Sequence, residues 1–221
     1  MQIVLALDFD GTLYKLGEHD SEEVLMSVVA DTPDRITLME STIRELRNGA
    51  DPRVFEEVLR DMLIGAPLEA ISKAVDIIMP TTSLEEMAVV KELAMRHEIH
   101  LHIVSCGTDM LISEFLNRVD ILPYTEGIHA KELVHDERTF INFIWHITGP
   151  EDKRHTVETL KNAYPDSYLI SVGDGFTDGP MLDASDLGLL IEWPGSKHHE
   201  MNAKRITSFV ELKQLIDSID M

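Results

Sequence analysis

The sequence predicts an α/β protein: a doubly wound, mainly parallel sheet with a small all-helical cap domain. Three observations carry that expectation. The apolar run Ile3 to Leu7 is long enough only for a buried strand, and it delivers two aspartates, Asp8 and Asp10, at its carboxyl end, where ligands bind in parallel sheets. From Ser21 to about Met79 the apolar residues recur at helical spacing. Beyond Pro80, short apolar runs alternate with helical patterns, as crossover connections between parallel strands require. The expected division is a core of residues 1–14 and 81–221 and a cap of residues 15–80, inserted after the first strand.

Taken in order, the polar stretch Tyr14 to Asp20 leads into four expected helices. Val24, Leu25, Val28 and Val29 mark the first, Ile36, Met39, Ile43 and Leu46 the second. Phe55, Val58, Leu59 and Met62 mark a third, opened by Asp51-Pro52, and Leu68, Ile71, Val75 and Ile78 a fourth. Ser83 and Glu86 read as a capping box for a helix to about His97. Ile99 to Val104 is a strand whose His100 and His102 alternate with apolar residues, a pattern that favours a covered strand face over metal ligands. A helix follows over Met110 to Val119. Gly127 to Val134 and Thr139 to Thr148 flank a polar turn and predict a β-hairpin in which Phe140, Phe143 and Trp145 pack. Helices are expected over Glu151 to Ala163, Thr177 to Ala184, Ser196 to Ala203 and Phe209 to Ile219, and strands over Tyr168 to Val172, Leu187 to Ile191 and Arg205 to Thr207.

Composition narrows the function. The chain has 221 residues, enough for a sizeable core, and 40 Asp+Glu against 19 Lys+Arg give a formal net charge of −21. Such a surface repels nucleic acid and anionic membranes. No apolar run approaches the roughly 20 residues of a membrane helix, and the N-terminus enters a strand without a basic region and cleavage site. The expected location is the cytoplasm. Cys106, the single cysteine, has no intramolecular disulfide partner.

Asp8-Phe9-Asp10-Gly11-Thr12-Leu13 resembles the first motif of the haloacid dehalogenase-like phosphohydrolases. The resemblance continues in the family's order: Val104-Ser105-Cys106-Gly107-Thr108-Asp109 looks like the second motif, Lys153 like the third, and Gly173-Asp174-Gly175-Phe176-Thr177-Asp178 like the fourth. With a helical insertion straight after the first motif, the whole chain is most similar to the phosphoserine-phosphatase-like branch. The resemblance implies a Rossmann-like core and a Mg²⁺-dependent phosphatase that forms an aspartyl-phosphate, with Asp8 as nucleophile and Asp10 as acid and base. Ser105 and the N–H groups of Cys106 and Gly107 would bind phosphate, and Lys153 would screen its repulsion from Asp8. Lys153 stands 21 positions before Asp174, whereas Lys131, the competing lysine, lies on the expected hairpin.

Asp8, Asp10 through its carbonyl, and Asp174 would hold the metal, and Asp178 would hold a metal-bound water or orient Lys153. Hard oxygen donors suit Mg²⁺, and an anionic substrate approaching so acidic a protein needs a cation. Gly173 and Gly175 would permit close backbone turns near the metal. For substrate choice, Glu18, Arg53 and Arg60 are the candidates on the inner face of the cap, with Met62 near the position where the branch keeps its carboxylate-binding arginine. The expected partner is a small phosphorylated metabolite, and a homodimer is left open. The competing readings are a phosphotransferase or phosphomutase of the same architecture and, from another class, a non-catalytic phospho-receiver or binding protein.

Overall fold

The computed structural model describes residues 1–194, 201 and 203–219. Seven strands form one sheet in the order β4-β3-β2-β1-β5-β6-β7. These are β1 (Gln2–Leu7), β2 (Ile99–Thr108), β3 (Thr125–His135), β4 (Phe140–Ile144), β5 (Ser167–Gly173), β6 (Leu187–Ile191) and β7 (Lys204–Ile206). Every neighbouring pair is parallel except β3 with β4. β1 is central because it can be covered on both faces: Ile3, Leu5 and Leu7 join one apolar cluster, Val4 and Ala6 the other. Its neighbours β2 and β5 are reached by connections that leave in opposite directions along the sheet, so the mouth between β1 and β5 is a topological switch point. Leu7 pairs with Val172, and Asp8 N–H donates to the Val172 carbonyl at 2.9 Å. Asp8 and Asp174 therefore emerge at the same end of adjacent strands.

Between β1 and β2 lie α1 (Ser21–Val29), α2 (Pro33–Arg47), α3 (Pro52–Leu63), α4 (Glu69–Ile78) and α5 (Leu84–Ala94). Asp20, Thr32, Asp51 and Ser83 cap α1, α2, α3 and α5 through their side chains, satisfying N–H groups that a helix start leaves unpaired. The Ser83 box is only half made: Glu86 N–H reaches Ser83 Oγ, but the Glu86 carboxylate turns to Phe209 N–H at 2.6 Å. That bond ties α5 to α9 (Phe209–Ser218), which packs beside it. The remaining helices are α6 (Asp109–Arg118), α7 (Pro150–Ala163) and α8 (Gly179–Ala184). The helix expected over Ser196 to Ala203 falls almost wholly outside the described residues.

Two expectations change in detail. The first arm of the hairpin is also a core strand, pairing with β2 along its first half and with β4 along its second. The second strand runs to Thr108, past Val104, with an irregular register between those residues. Ser105 to Gly107 thus belong to the strand end. His102 is 5% exposed on a covered face, its Nδ1 lies 3.2 Å from His129 Nε2, and burial first, then His129, pushes its pKa down to about 4.

The four helices α1–α4 pack directly against the sheet side. Leu25, Leu59, Ile71 and Val75 share one contiguous apolar cluster with Phe9 and Phe115 of the sheet side. Backbone bonds lace the turn after α3 to β4, Gly65 N–H to Phe140 O at 2.8 Å and Phe140 N–H to Ala66 O at 3.1 Å. Lys131 of β3 adds a buried ion cluster. Its ammonium, on a residue 1% exposed, meets Glu22 of α1 at 2.8 Å and 3.0 Å and Glu56 of α3 at 3.3 Å. Although burial alone favours the neutral amine, the two carboxylates hold Lys131 above its ordinary range.

Lys131→Met leaves both carboxylates buried without their cation, which costs about 3–5 kcal/mol for a pair broken on one side. The urea midpoint falls accordingly, and Glu22→Gln with Glu56→Gln added to that variant recovers most of the loss. An unchanged midpoint in Lys131→Met would show that the cluster holds nothing together.

Candidate active site

At the β1–β5 mouth three carboxylates gather near one ammonium, which bonds two of them. Lys153, in the first turn of α7 and 2% exposed, places Nζ 2.6 Å from Asp8 Oδ1 and 2.7 Å from Asp178 Oδ1. The other Asp178 oxygen accepts the N–H groups of Asp174 and Gly175, both at 3.0 Å. Thr12 Oγ1 donates to Asp8 Oδ2 at 3.3 Å. Lys131 is elsewhere, on Glu22 and Glu56, so of the two candidate lysines the fold brings Lys153 to Asp8.

Carboxylate oxygens of Asp8, Asp174 and Asp178 lie within 4.8 Å of one another. Burial, reinforced by the charge of Asp178, pushes Asp8 well above the ordinary carboxylate range and Asp174 to about 7. Lys153 stays protonated because Asp178 and Asp8 outweigh its desolvation. The site therefore gathers three carboxylates against one ammonium, with hard oxygen donors only, and this donor set fits a small divalent cation such as Mg²⁺.

Two glycines make the crowding feasible. Gly11 has φ +76°, and a Cβ there would stand 2.1 Å from the Asp174 carboxylate. A Cβ on Gly173 would stand 2.4 Å from Asp178. Gly175, in the same motif, faces open space, so the close approach expected of it belongs to Gly173 alone. The Gly11 carbonyl is pinned from 182 positions away by the buried Trp193 indole N–H at 2.8 Å.

Asp10 points away from this cluster. Its Oδ1 accepts Tyr14 O–H and, at 2.7 Å, Ser21 N–H, and its Oδ2 accepts Ser21 O–H at 2.8 Å. A cavity of about 230 Å³ opens between the two groups, lined by Asp8, Asp10, Ser105, Cys106, Gly107, Lys153 and Asp174, and on its outer side by Leu16, Asp20, Glu22 and Thr177. Gly107 N–H donates to Ser105 Oγ at 3.0 Å, so one of the two N–H groups expected to meet phosphate has a partner within the turn. Burial pushes the Cys106 thiol up to about 11, which keeps it protonated and weakly nucleophilic.

Glu18 and Arg60 are not brought to the cavity. Glu18 is exposed in the loop before α1, and the chain turns inward only from Asp20, the α1 cap. Arg60 follows Leu59 on α3, so when Leu59 faces the core Arg60 is turned about 100° away; it pairs with Asp61 and lines a separate cleft with Arg53, Glu56 and Trp145. Met62 is buried in the core. The residues in the expected place are Asp20 and Glu22, which the sequence did not single out. Their signal was the helix start: a capping aspartate fixes which of the next residues face in.

An open, mainly parallel sheet with carboxylates and a lysine gathered at its switch point defines a doubly wound α/β protein with an acidic site at the strand ends. In fold the chain is similar to a HAD family hydrolase from Salmonella enterica subsp. enterica serovar Typhi, with TM-score 0.75 and 18% identity over 99% of this chain and 72% of that one. It is similar also to apo phosphoserine phosphatase, with TM-score 0.67 and 18% identity over 100% of both chains. A phosphoserine phosphohydrolase-like protein from Francisella tularensis subsp. tularensis SCHU S4 gives TM-score 0.64 and 20% identity over 98% of this chain and 100% of that one. At these identities the likeness shows a common fold. No curated protein sequence matches the chain significantly. The haloacid dehalogenase-like hydrolase family model matches residues 5–183, and the chain belongs to that family. Among the described residues no helix is long and apolar enough to cross a membrane.

Gly11→Ala forces the Asp174 carboxylate aside in a backbone conformation that alanine resists. Displacement on the order of 1 Å at such a site costs about 10²-fold in rate, and the thermal shift produced by Mg²⁺ is lost with it. Gly175→Ala loses far less of either. Equal losses in the two variants would contradict the crowding read at Gly11.

Proposed function

We propose that the chain is a Mg²⁺-dependent phosphatase that hydrolyses a small phosphorylated metabolite through an aspartyl-phosphate on Asp8. The observation that supports this most directly is the Lys153 ammonium clamped between Asp8 and Asp178 at the floor of a cavity that Ser105 and Asp10 also face.

In the first half-reaction an Asp8 carboxylate oxygen attacks phosphorus, the bond from phosphorus to the ester oxygen breaks, and its electron pair takes the proton held by Asp10. In the second, water attacks phosphorus, Asp10 receives the water proton, and the electron pair of the Asp8–phosphorus bond returns to Asp8. Inorganic phosphate leaves and both aspartates are restored. Lys153 lowers the repulsion between Asp8 and the dianion, and the Ser105 hydroxyl holds a phosphoryl oxygen. Asp8 and Asp174 would hold Mg²⁺, which when bound supplies charge neutralisation for the phosphoryl oxygens. Asp178 has both oxygens committed to Lys153 and to N–H groups, so its role is to orient that lysine and the Asp174 turn.

Residues 15–80 act as the cap and residues 1–14 and 81–221 as the catalytic core. The cavity of about 230 Å³ suits a phosphate and a short organic moiety, and excludes macromolecules. Similar folds include phosphoserine phosphatases, yet among the described residues Lys153 is the sole cation lining this cavity. A carboxylated substrate would place its second anion against Asp20 and Glu22 without a partner, so phosphoserine ranks below neutral or cationic small phosphates.

The test is kcat/KM with Mg²⁺ over phosphoserine, sugar phosphates, polyol phosphates, amino-alcohol phosphates, nucleotides and a phosphopeptide. Turnover of a small phosphate that Asp8→Asn abolishes, in protein checked for deamidation, is expected. Phosphoserine ranking first would overturn the reading of the cavity wall, and undiminished turnover by Asp8→Asn the nucleophile.

A further inference from the structure

Tyr14 and Ser21 belong to none of the four motifs, yet among the described residues they supply every hydrogen bond to the Asp10 carboxylate. Neither can easily do otherwise. Tyr14 is 2% exposed, and its ring is fixed in a triangle with Phe9, 5.2 Å between centroids, and Phe115, 6.0 Å. A buried tyrosine hydroxyl needs a partner, and this packing aims it at Asp10. Ser21 is fully buried as the first residue of α1, between Asp20, whose side chain accepts Glu23 N–H at 2.8 Å, and Glu22, which is held by Lys131. The first turn of α1 is thus locked from both sides, with the Ser21 N–H and O–H directed at one carboxylate.

The two oxygens of Asp10 are treated differently. Oδ1 receives two donors, Tyr14 O–H and Ser21 N–H, and acts as the anchor. Among the described residues Oδ2 receives only the Ser21 hydroxyl, a rotor able to donate or accept. A Cβ placed on Gly107 would lie 3.3 Å from Asp10 Oδ2, from Ser105 Oγ and from Ser21 Oγ alike. Oδ2 therefore faces the same small space as the phosphate-binding serine.

We propose that Tyr14 and Ser21 are positioning residues that anchor Asp10 through Oδ1 and aim Oδ2 at the ester oxygen of the substrate, so that acid catalysis depends on the first turn of α1. The proposal rests on the reading of Asp10 as the acid. When the ester bond breaks, the proton on Oδ2 passes to the leaving oxygen. The Ser21 hydroxyl then donates to the new carboxylate, and the roles reverse when water is deprotonated. An alkyl leaving group needs that proton; p-nitrophenolate, a far weaker base, leaves without it.

The experiment compares kcat and KM of Tyr14→Phe, Ser21→Ala, the double variant and Asp10→Asn on an alkyl phosphate from the substrate panel and on p-nitrophenyl phosphate. Loss of a general acid costs on the order of 10²–10⁴-fold. The double variant is expected to lose on the order of 10²-fold in kcat on the alkyl ester, at least tenfold (about one order of magnitude) more than on the aryl ester, with KM little changed. Ser21→Thr, which keeps both donors, recovers the alkyl rate. Asp10→Asn shows the same selectivity, more strongly. Equal losses on the two esters in the Tyr14 and Ser21 variants, beside a selective Asp10→Asn, would overturn the proposal and leave Asp10 as the acid. An unselective Asp10→Asn would overturn the acid assignment and the proposal with it. Should the double variant unfold, the singles and Ser21→Thr give the same ratio.

Discussion

Two buried carboxylates and a half-buried third around one ammonium set the terms for the rest of this molecule. Asp8, Asp174 and Asp178 have oxygens within 4.8 Å of one another, and Lys153 bridges two of them. Like charges in low dielectric repel strongly, so the cluster persists only where the scaffold leaves it no alternative. β1 provides that stiffness through burial on both faces, β5 through its parallel register with it, and α7 by placing Lys153 in its first turn. Three carboxylates against one ammonium are the charge balance that fits the cation and phosphoryl group of the proposed reaction.

A second constraint is the divergence of two aspartates only two residues apart. Alternation along a regular strand would put both side chains on one face, where they would raise each other's pKa and share one function. Instead the chain leaves the strand at Asp8, Phe9 sinks into the aromatic cluster, and the positive φ of Gly11 turns the backbone. Asp8 stays with Lys153 and Asp10 goes to Tyr14 and Ser21. The two carboxyls acquire separate environments, as the separate roles proposed for them require. The helices of the insertion reach this point through α1, whose next residue, Glu22, is held by the second buried ion cluster at Lys131.

Much of this was legible because its determinants are local. The apolar run of β1, the acidic motif at its end, the cap residues Asp51 and Ser83 and the helical periods of the insertion are each contained in one short window. Lys153 was distinguishable from Lys131 through the family resemblance, which places its lysine at the start of the helix ahead of the β5 strand. What stayed hidden depends on contacts between distant residues. Lys131 and Glu22 are 109 positions apart, Trp193 and Gly11 are 182 apart, and nothing in either neighbourhood announces the other. Glu18 and Arg60 were placed by polarity and rough alignment, whereas the phase of a helix about its axis is decided by its cap and by which face the core accepts. Asp20 and Glu22 hold the positions next to the cavity for that reason. Gly173 and Gly175 look equivalent in sequence and differ only in what stands opposite them.

The account stands or falls on the bond between Asp8 and phosphorus. Rapid acid quenching during turnover of a radiolabelled small phosphate with Mg²⁺, with one portion of the quenched protein mapped for label and a second mapped after borohydride reduction, which expels the phosphate from an acyl phosphate, reads that bond directly. The account predicts one labelled and reducible site, at Asp8, formed and discharged at the rate of turnover. Label at Ser105 or Cys106, or full turnover with no labelled protein at any quench time, would contradict it.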